Sequence, residues 1–186
     1  MSRRAVIEAR GLEVAYGDTV VLRDADCSIY PKEITCIVGG SGSGKTTLLK
    51  TFFGLIAATA GSIRLFDDEL SGLGEAEYHQ TLLRLGVLFQ SGALLNSMSV
   101  FENLSVPLEQ HTRLPDEIIS RMIEVKLRLV NLPGVEDMYP AELSGGMKKR
   151  AALARAITLD PEIVFLDEPS AGLDPENSVA LDRLMV

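Results

Sequence analysis

Short stretches of alternating apolar and polar residues fill the first part of the chain. They run over 6–9, 12–16 and 20–22, and turn residues such as Gly11 and Gly17-Asp18 separate them. Alternation with a period of two, bounded by glycine or proline, is typical of half-buried β-strands. The sequence therefore predicts a β-rich opening made of several short strands.

Two other stretches are almost wholly apolar, Ile34–Val38 and Ile163–Leu166. A strand that is apolar on both sides is expected where both faces of a parallel sheet are covered. We therefore predict that both stretches are buried strands of a parallel sheet.

A helical pattern appears between and after these strands. At Pro115-Asp116-Glu117 the proline suits a first helical turn, and the acidic residues favour the positive end of the helix dipole. The predicted helices run from Lys45 to about Leu55, from Pro115 onward and from Ser144 to about Leu159, with short strands at 62–66 and 86–89. Strands that alternate with helices indicate an α/β domain with a parallel sheet.

Composition limits the partners and the compartment. The 186 residues include 18 Lys and Arg against 26 Asp and Glu, a net charge of −8, which argues against a nucleic-acid partner. No apolar run approaches the ~20 residues that a membrane-spanning helix needs, and the N-terminus lacks the apolar core of a secretory signal. Cys27 and Cys36 have no metal-binding spacing and suit a reducing compartment. We expect a single cytoplasmic domain.

One glycine-rich segment carries the strongest chemical signal. Gly39-Gly40-Ser41-Gly42-Ser43-Gly44-Lys45-Thr46 fits the phosphate-loop pattern G-x-x-x-x-G-K-[ST] in full and stands between a predicted strand and a predicted helix. Glycines let successive N–H groups curl around a phosphate, and the helix N-terminus adds its positive end. Lys45 is then expected to reach the β- and γ-phosphates of a nucleotide, and the Thr46 hydroxyl to ligate Mg²⁺.

An acidic pair follows the second apolar strand. Asp167 and Glu168 come directly after Ile163–Leu166, and ligands of α/β folds bind beyond the carboxyl ends of the strands. Asp167 is therefore predicted to hold Mg²⁺, and Glu168 to orient or deprotonate an attacking water.

A third element lies between the other two in the sequence. In Leu143-Ser144-Gly145-Gly146, Ser144 has the character of a helix N-cap, and a glycine-opened helix start is also an anion site. The two interpretations are compatible. A second phosphate-binding helix end suggests a nucleotide that is contacted from two sides, by two subunits of a symmetric dimer. Beyond it, Lys148-Lys149-Arg150 and Arg155 are expected to form a solvated basic face.

These motifs, together with Gln90, Leu166-Asp167-Glu168-Pro169 and Ser170-Ala171-Gly172-Leu173-Asp174, resemble in order and spacing the ATPase subunit of an ABC transporter. The resemblance covers essentially the whole chain. It implies a P-loop α/β cassette with N-terminal antiparallel strands and a helical subdomain. Within one domain over 1–186, residues 1–72 and 141–186 would form the nucleotide-binding core, and 73–140 a mostly helical lobe.

The resemblance also implies residue roles. Tyr16 resembles the aromatic residue that stacks on adenine, Gln90 the glutamine that senses Mg²⁺ and the γ-phosphate, and Asp174 the loop aspartate of the dimer interface. The expected catalytic residues are Glu168, Gln90 and Lys45, and the expected Mg²⁺ ligands are Thr46, Gln90 and Asp167. The expected ATP-binding residues are Tyr16, Gly39, Gly40, Ser41, Gly42, Ser43, Gly44, Lys45, Thr46, Thr47, Ser144, Gly145 and Gly146.

Three segments make the resemblance more specific. Phe89–Leu95 followed by Ser99–Leu104, and the helix start Met147-Lys148-Lys149-Arg150, are similar to the ATPases of MCE-type systems such as the bacterial Mla phospholipid transporters. This similarity implies a homodimer on the cytoplasmic face of the inner membrane. Its partners would be integral membrane permease subunits and an MCE-type lipid-binding protein.

The alternatives to this interpretation are two non-transport classes of cassette ATPase and a transporter ATPase with a different cargo. Cassette ATPases of DNA repair separate their halves with a long coiled coil, and translation factors carry two cassettes in one chain. This chain has no heptad array and only one cassette. Another importer-like cargo, such as an amino acid or a lipoprotein, stays an alternative because cargo would meet the permease.

The C-terminal pattern suggests a piece of a longer protein. The helix predicted after Pro175 shows no stop signal before Val186. The resembled family continues with a strand that carries a histidine for the γ-phosphate, whereas His79 and His111 both precede Ser144. We expect a truncated chain with an unpaired sheet edge that retains ATP binding and hydrolyses ATP poorly or not at all.

Overall fold

The computed structural model describes residues 4–185. The chain divides into two compact units, with the boundary between Leu82 and Leu83. The strands and helices are, in chain order, β1 (Ile7–Tyr16), β2 (Thr19–Ile29), α1 (Lys45–Phe52), β3 (Ala60–Leu65), β4 (Asp68–Glu69), α2 (Glu75–Leu82), β5 (Leu85–Leu88), α3 (Val100–His111), α4 (Asp116–Leu129), α5 (Gly145–Ala156), β6 (Ile163–Leu166) and α6 (Pro175–Met185).

The first unit is built on an antiparallel sheet in the order β2-β1-β3-β4. The predicted alternation is confirmed, because Ile7, Leu12 and Val14 of β1 are fully buried. The two predicted stretches at 6–9 and 12–16 form one strand with register irregularities near Gly11, which has a φ of +54°. A tight turn at Gly17 joins β1 to β2 and pairs Tyr16 with Thr19.

The prediction of a buried strand at Ile34–Val38 is wrong. The segment belongs to neither sheet of the described chain, and the side chains of Ile34 and Val38 are 65% and 91% exposed. A strand gains stability only from a neighbour that completes its hydrogen-bond ladder. The apolar pattern is present, but it does not specify that neighbour.

The second unit holds a parallel strand pair against which α5 packs. β5 and β6 pair in register from Leu85 with Ile163 to Leu88 with Leu166, which confirms the strand and the parallel pairing predicted for Ile163–Leu166. The predicted burial on both faces is wrong, because Phe165 is buried while its neighbour Val164 is exposed, so only one face of β6 is covered in the described chain. Helices α3 to α6 share one apolar cluster with Leu88. Its fully buried members include Leu88, Val100, Leu104, Leu108, Ile123, Leu127, Ala151 and Ala154.

Two helix starts of this unit, those of α4 and α5, follow their predicted signals. Pro115 is the N-cap of α4, and Ser144 is the N-cap of α5. Ser99 caps α3 in a reciprocal capping box with Glu102, which satisfies two N–H groups that would otherwise lack partners. Each helix of the described chain is too short or too polar to cross a lipid bilayer.

Candidate functional site

The phosphate-loop segment ends in a helix start that only glycine suits. Gly44, the N-cap of α1, has a φ of +91°, a conformation that residues with a Cβ rarely adopt. A Cβ at Gly44 would also lie 2.7 Å from Cδ2 of Leu22 in β2. The glycine thus lets the start of α1 pack against the β1–β2 hairpin.

Lys45 is folded back onto the loop. Its Nζ donates hydrogen bonds to the carbonyl oxygens of Gly39 and Gly40, both at 2.9 Å. Ser43 closes the loop with a backbone hydrogen bond to the oxygen of Gly40, at 3.3 Å. The ammonium group therefore lies inside the curl of the glycine-rich segment, where the charge of a phosphate would be neutralised.

Tyr16 lies in the same unit, at the turn of the β1–β2 hairpin. It is the last residue of β1, and its side chain is half exposed. An exposed ring beside a turn is available for stacking on a planar ligand. Its predicted contact with adenine stays a prediction.

In the second unit, the parallel strand pair brings Gln90 and Glu168 together. The backbone N–H of Asp167 donates to the oxygen of Leu88 at 2.9 Å, which extends the ladder beyond both strands. Nε2 of Gln90 then donates to Oε2 of Glu168 at 2.8 Å. Two residues that are 78 positions apart in sequence thus meet at the carboxyl edge of β5 and β6.

The backbone of Glu168 is strained. Its φ is +47°, in the left-handed region that non-glycine residues rarely occupy and that often accompanies a functional site. The peptide after this turn is held by Ala171, whose N–H donates to the oxygen of Glu168 at 3.0 Å. The turn directs the carboxylate toward Gln90 instead of continuing the strand.

The donor set at this edge fits Mg²⁺. Asp167 offers carboxylate oxygens and Gln90 an amide oxygen, and both follow the paired ends of β5 and β6. Mg²⁺ prefers such hard oxygen ligands and is commonly held by one or two protein side chains. Thr46, the third expected ligand, belongs to the other unit at the second position of α1.

The start of α5 lies beside the segment that leads into α6. The Ser144 hydroxyl accepts a hydrogen bond from the N–H of Met147 at 3.3 Å, so the N-cap role is confirmed. A Cβ at Gly146 would lie 2.6 Å from Oδ1 of Asn177, whereas one at Gly145 would meet only Cδ2 of Leu173, at 3.8 Å. Gly146 is therefore required for packing, while Gly145 is not.

Asp174 is fixed in the same place. Its carboxylate accepts hydrogen bonds from the backbone N–H of Asn177 at 3.0 Å and from Nδ2 of Asn177 at 2.7 Å. These hydrogen bonds lower the pKa of Asp174. Asn177 thus joins the aspartate to the glycine-rich start of α5, a link that the separate motifs did not reveal.

The predicted solvated face of α5 needs correction. Lys149 is only 8% exposed, and its Nζ donates to the backbone oxygen of Gln90. Arg155 donates to the oxygens of Gly92 and Ala93, at 3.2 Å and 2.7 Å. Both cations therefore face the protein interior. Each of them is three residues from the buried Ala152, and this i, i+3 spacing, which places neighbours on one side of a helix, is the sequence signal that would have indicated the contact.

The predicted site residues thus form three clusters. The phosphate loop and Tyr16 belong to the first unit, as does Thr47, which accepts a hydrogen bond from the Thr51 hydroxyl through its backbone oxygen. The pair Gln90 and Glu168 and the pair of segments around Ser144 and Asp174 belong to the second unit.

Comparisons with known proteins agree with these motifs. Residues 22–171 match the family model described as ABC transporter. The chain is 42% identical over 170 residues to the intermembrane phospholipid transport system ATP-binding protein MlaF of Haemophilus influenzae, covering 91% of this chain and 64% of the relative. It is 38% identical over 186 residues to the probable ribonucleotide transport ATP-binding protein mkl of Mycobacterium leprae, covering 100% of this chain and 54% of the relative.

A similar solved structure is that of the ATP-binding cassette MJ0796, dimeric and bound to ADP and Pi in a post-hydrolysis state. It superposes with a TM-score of 0.88 at 26% identity, covering 96% of this chain and 81% of that chain. The α/β cassette fold predicted from the motifs is confirmed. The chain spans less than two thirds of the length of these two curated relatives.

Proposed function

This chain belongs to the ABC transporter family, and on that premise we propose that it binds ATP with Mg²⁺ and hydrolyses the ATP to power a membrane permease. The observation that carries the proposal is the phosphate loop, in which the Lys45 ammonium lies among the carbonyls of Gly39 and Gly40, directly before α1. The positive charge of the ammonium group and the backbone N–H groups at the start of a glycine-capped helix together suit a bound phosphate.

We assign the residues of these clusters separate roles in ATP binding and hydrolysis. Residues 39–47 hold the triphosphate, and Tyr16 stacks on the base. Glu168 orients or deprotonates the attacking water, and its carboxylate is positioned by the amide of Gln90. Thr46, Gln90 and Asp167 are the residues that would hold Mg²⁺, and the ion would supply positive charge against the phosphates. Catalysis is then mostly positioning and electrostatic stabilisation of the transferred phosphoryl group.

We further propose that the ATPase works as a homodimer. The start of α5 at Ser144-Gly145 is a second helix N-terminus with exposed residues, suited to an anion that the other subunit holds. The dimeric structure of the related cassette MJ0796 with ADP and Pi supports this arrangement. ATP would favour the closed dimer and hydrolysis would release it.

Mixing two inactive variants tests both proposals. Lys45→Ala removes the phosphate cation, and Gly145→Asp places a negative charge at the start of α5, where a Cβ meets only Leu173 at 3.8 Å. Each variant alone should be inactive, whereas their mixture should regain about a quarter of wild-type phosphate release, because half of the random dimers have one intact site.

The matched control is Gly72→Asp, at an exposed glycine where a Cβ meets nothing within 4 Å. It should retain full activity. A mixture no more active than its parents, despite confirmed heterodimers, would refute the two-sided site. Absence of ATP binding by the wild-type chain, measured by nucleotide titration, would refute the nucleotide site itself.

We propose phospholipid as the cargo, with permease subunits and an MCE-type protein as partners at the cytoplasmic face of the inner membrane. The identity to the phospholipid-transport relative supports it, although the mycobacterial relative is named for ribonucleotide transport. Phosphate release by the chain bound to its permease should rise with phosphatidylethanolamine vesicles. If phosphate release rose on addition of ribonucleotides other than ATP and did not respond to the vesicles, the lipid assignment would be contradicted.

A further inference from the structure

One face of α5 supports the loop that follows β5, here called the Gln90 loop (residues 90–93). The Cβ of Ala152 would lie 3.3 Å from a Cβ added at Gly92, and the backbone oxygen of Ala156 would lie 2.3 Å from one added at Gly86. Both glycines thus allow a close approach between α5 and the chain from β5 onward. Side chains at i, i+3 and i+4 of a helix share one face, so this contact is continuous.

Two buried or half-buried cations on that face hold the loop by its backbone. Lys149 donates to the oxygen of Gln90, and Arg155 donates to the oxygens of Gly92 and Ala93. Gly92 and Ala93 both have positive φ, +77° and +52°. A non-glycine residue in this conformation is held at a cost, which the hydrogen bonds of Arg155 help to offset.

The charge environment of Lys149 suits this position. Burial lowers the pKa of Lys149, while the carboxylates of Asp167 and Glu168 act in the opposite direction. Those carboxylates compensate part of the cost of burying the ammonium group. Lys149 is thus a buried cation that hydrogen-bonds to the Gln90 backbone and is attracted by the acidic pair.

The side chain of Gln90 continues the connection. Its backbone oxygen accepts from Lys149, and its amide donates to Glu168 at 2.8 Å. We propose that Lys149 is a positioning residue that fixes Gln90 and, through it, the carboxylate of Glu168. The inference deepens the proposed function and rests on it for its kinetic part. Lys149 therefore controls turnover and has little effect on ATP affinity, which depends on residues 39–47.

Replacing Lys149 tests the inference. Lys149→Met keeps most of the apolar stem and removes the hydrogen-bond donor. We expect kcat to fall about tenfold, which corresponds to the loss of one hydrogen bond from a charged group. The KM for ATP should stay near the wild-type value. Lys149→Arg, which retains a cationic donor, should restore most of kcat. Lys148→Met changes the half-buried neighbour on α5 and should leave kcat unchanged.

A second readout is independent of activity. Amide hydrogen exchange should become faster in the Gln90 loop of Lys149→Met and stay at the wild-type rate in Lys148→Met. When Gln90→Ala is already present, adding Lys149→Met should cause no further loss of kcat. The two substitutions break the same connection, which runs from Lys149 through Gln90 to Glu168.

The outcomes separate the two proposals. Unchanged exchange in the Gln90 loop of Lys149→Met overturns the inference, whether or not the wild type hydrolyses ATP. Equal falls in kcat for Lys149→Met and Lys148→Met, or a raised KM with normal kcat, also overturn it. If the wild-type protein showed no ATP turnover but Lys149→Met still exchanged faster in the Gln90 loop, the positioning contact would be supported. Only the proposed ATPase function would then be refuted.

Discussion

Glu168→Gln is expected to lower the rate of ATP turnover about a hundredfold or more, the usual contribution of a positioned acid–base group, while ATP binding persists. Glutamine has the same shape and keeps an oxygen that accepts the hydrogen bond from Gln90, found at 2.8 Å in the wild type. Only the carboxylate charge is lost. Phosphate release measures turnover, and size-exclusion chromatography with ATP and Mg²⁺ should show a persistent dimer.

The control for this variant is Glu117→Gln, at an exposed glutamate in the first turn of α4. It should turn over ATP at the wild-type rate. If Glu168→Gln also stayed near wild type, Glu168 would not be the main catalytic carboxylate, and the strained turn at its φ of +47° would need another explanation.

Lys45→Ala is expected to weaken ATP binding by about a hundredfold, since hydrogen bonds to charged groups contribute up to ~3 kcal/mol. The ammonium group already lies in the loop, 2.9 Å from the oxygens of Gly39 and Gly40. Its removal leaves the triphosphate without its main cation there. Titration with a fluorescent ATP analogue measures the change.

Lys50→Ala is the matched control, because Lys50 is a half-buried lysine in the last turn of the same helix. It should bind ATP as the wild type does. Equal affinities for Lys45→Ala and the wild type would remove Lys45 from the phosphate site.

Local motifs explain why much of the site was predictable. The phosphate loop and the start of α5 are each defined by a few consecutive residues, and both helix starts occur where the sequence placed them. Asp167 and Glu168 directly follow the last residue of β6, as predicted. In each case a few consecutive residues are enough to recognise the segment, although its final contacts involve distant residues.

Features that depend on a distant partner were not predictable. Ile34–Val38 has the composition of a buried strand, but composition does not determine which strand it would pair with. Lys149 has the composition of a surface lysine, yet the close packing of α5 against the Gln90 loop buries it. The contact of Gln90 with Glu168 likewise requires the parallel pairing of β5 with β6.

The most direct test of the account is a crystal structure of Glu168→Gln grown with ATP and Mg²⁺, in which turnover is slow enough to retain the γ-phosphate. We predict a dimer with each triphosphate bound by residues 39–46 of one chain, within hydrogen-bond distance of Nζ of Lys45, and by Ser144 and Gly145 of the other. A triphosphate bound away from residues 39–46 would contradict the account.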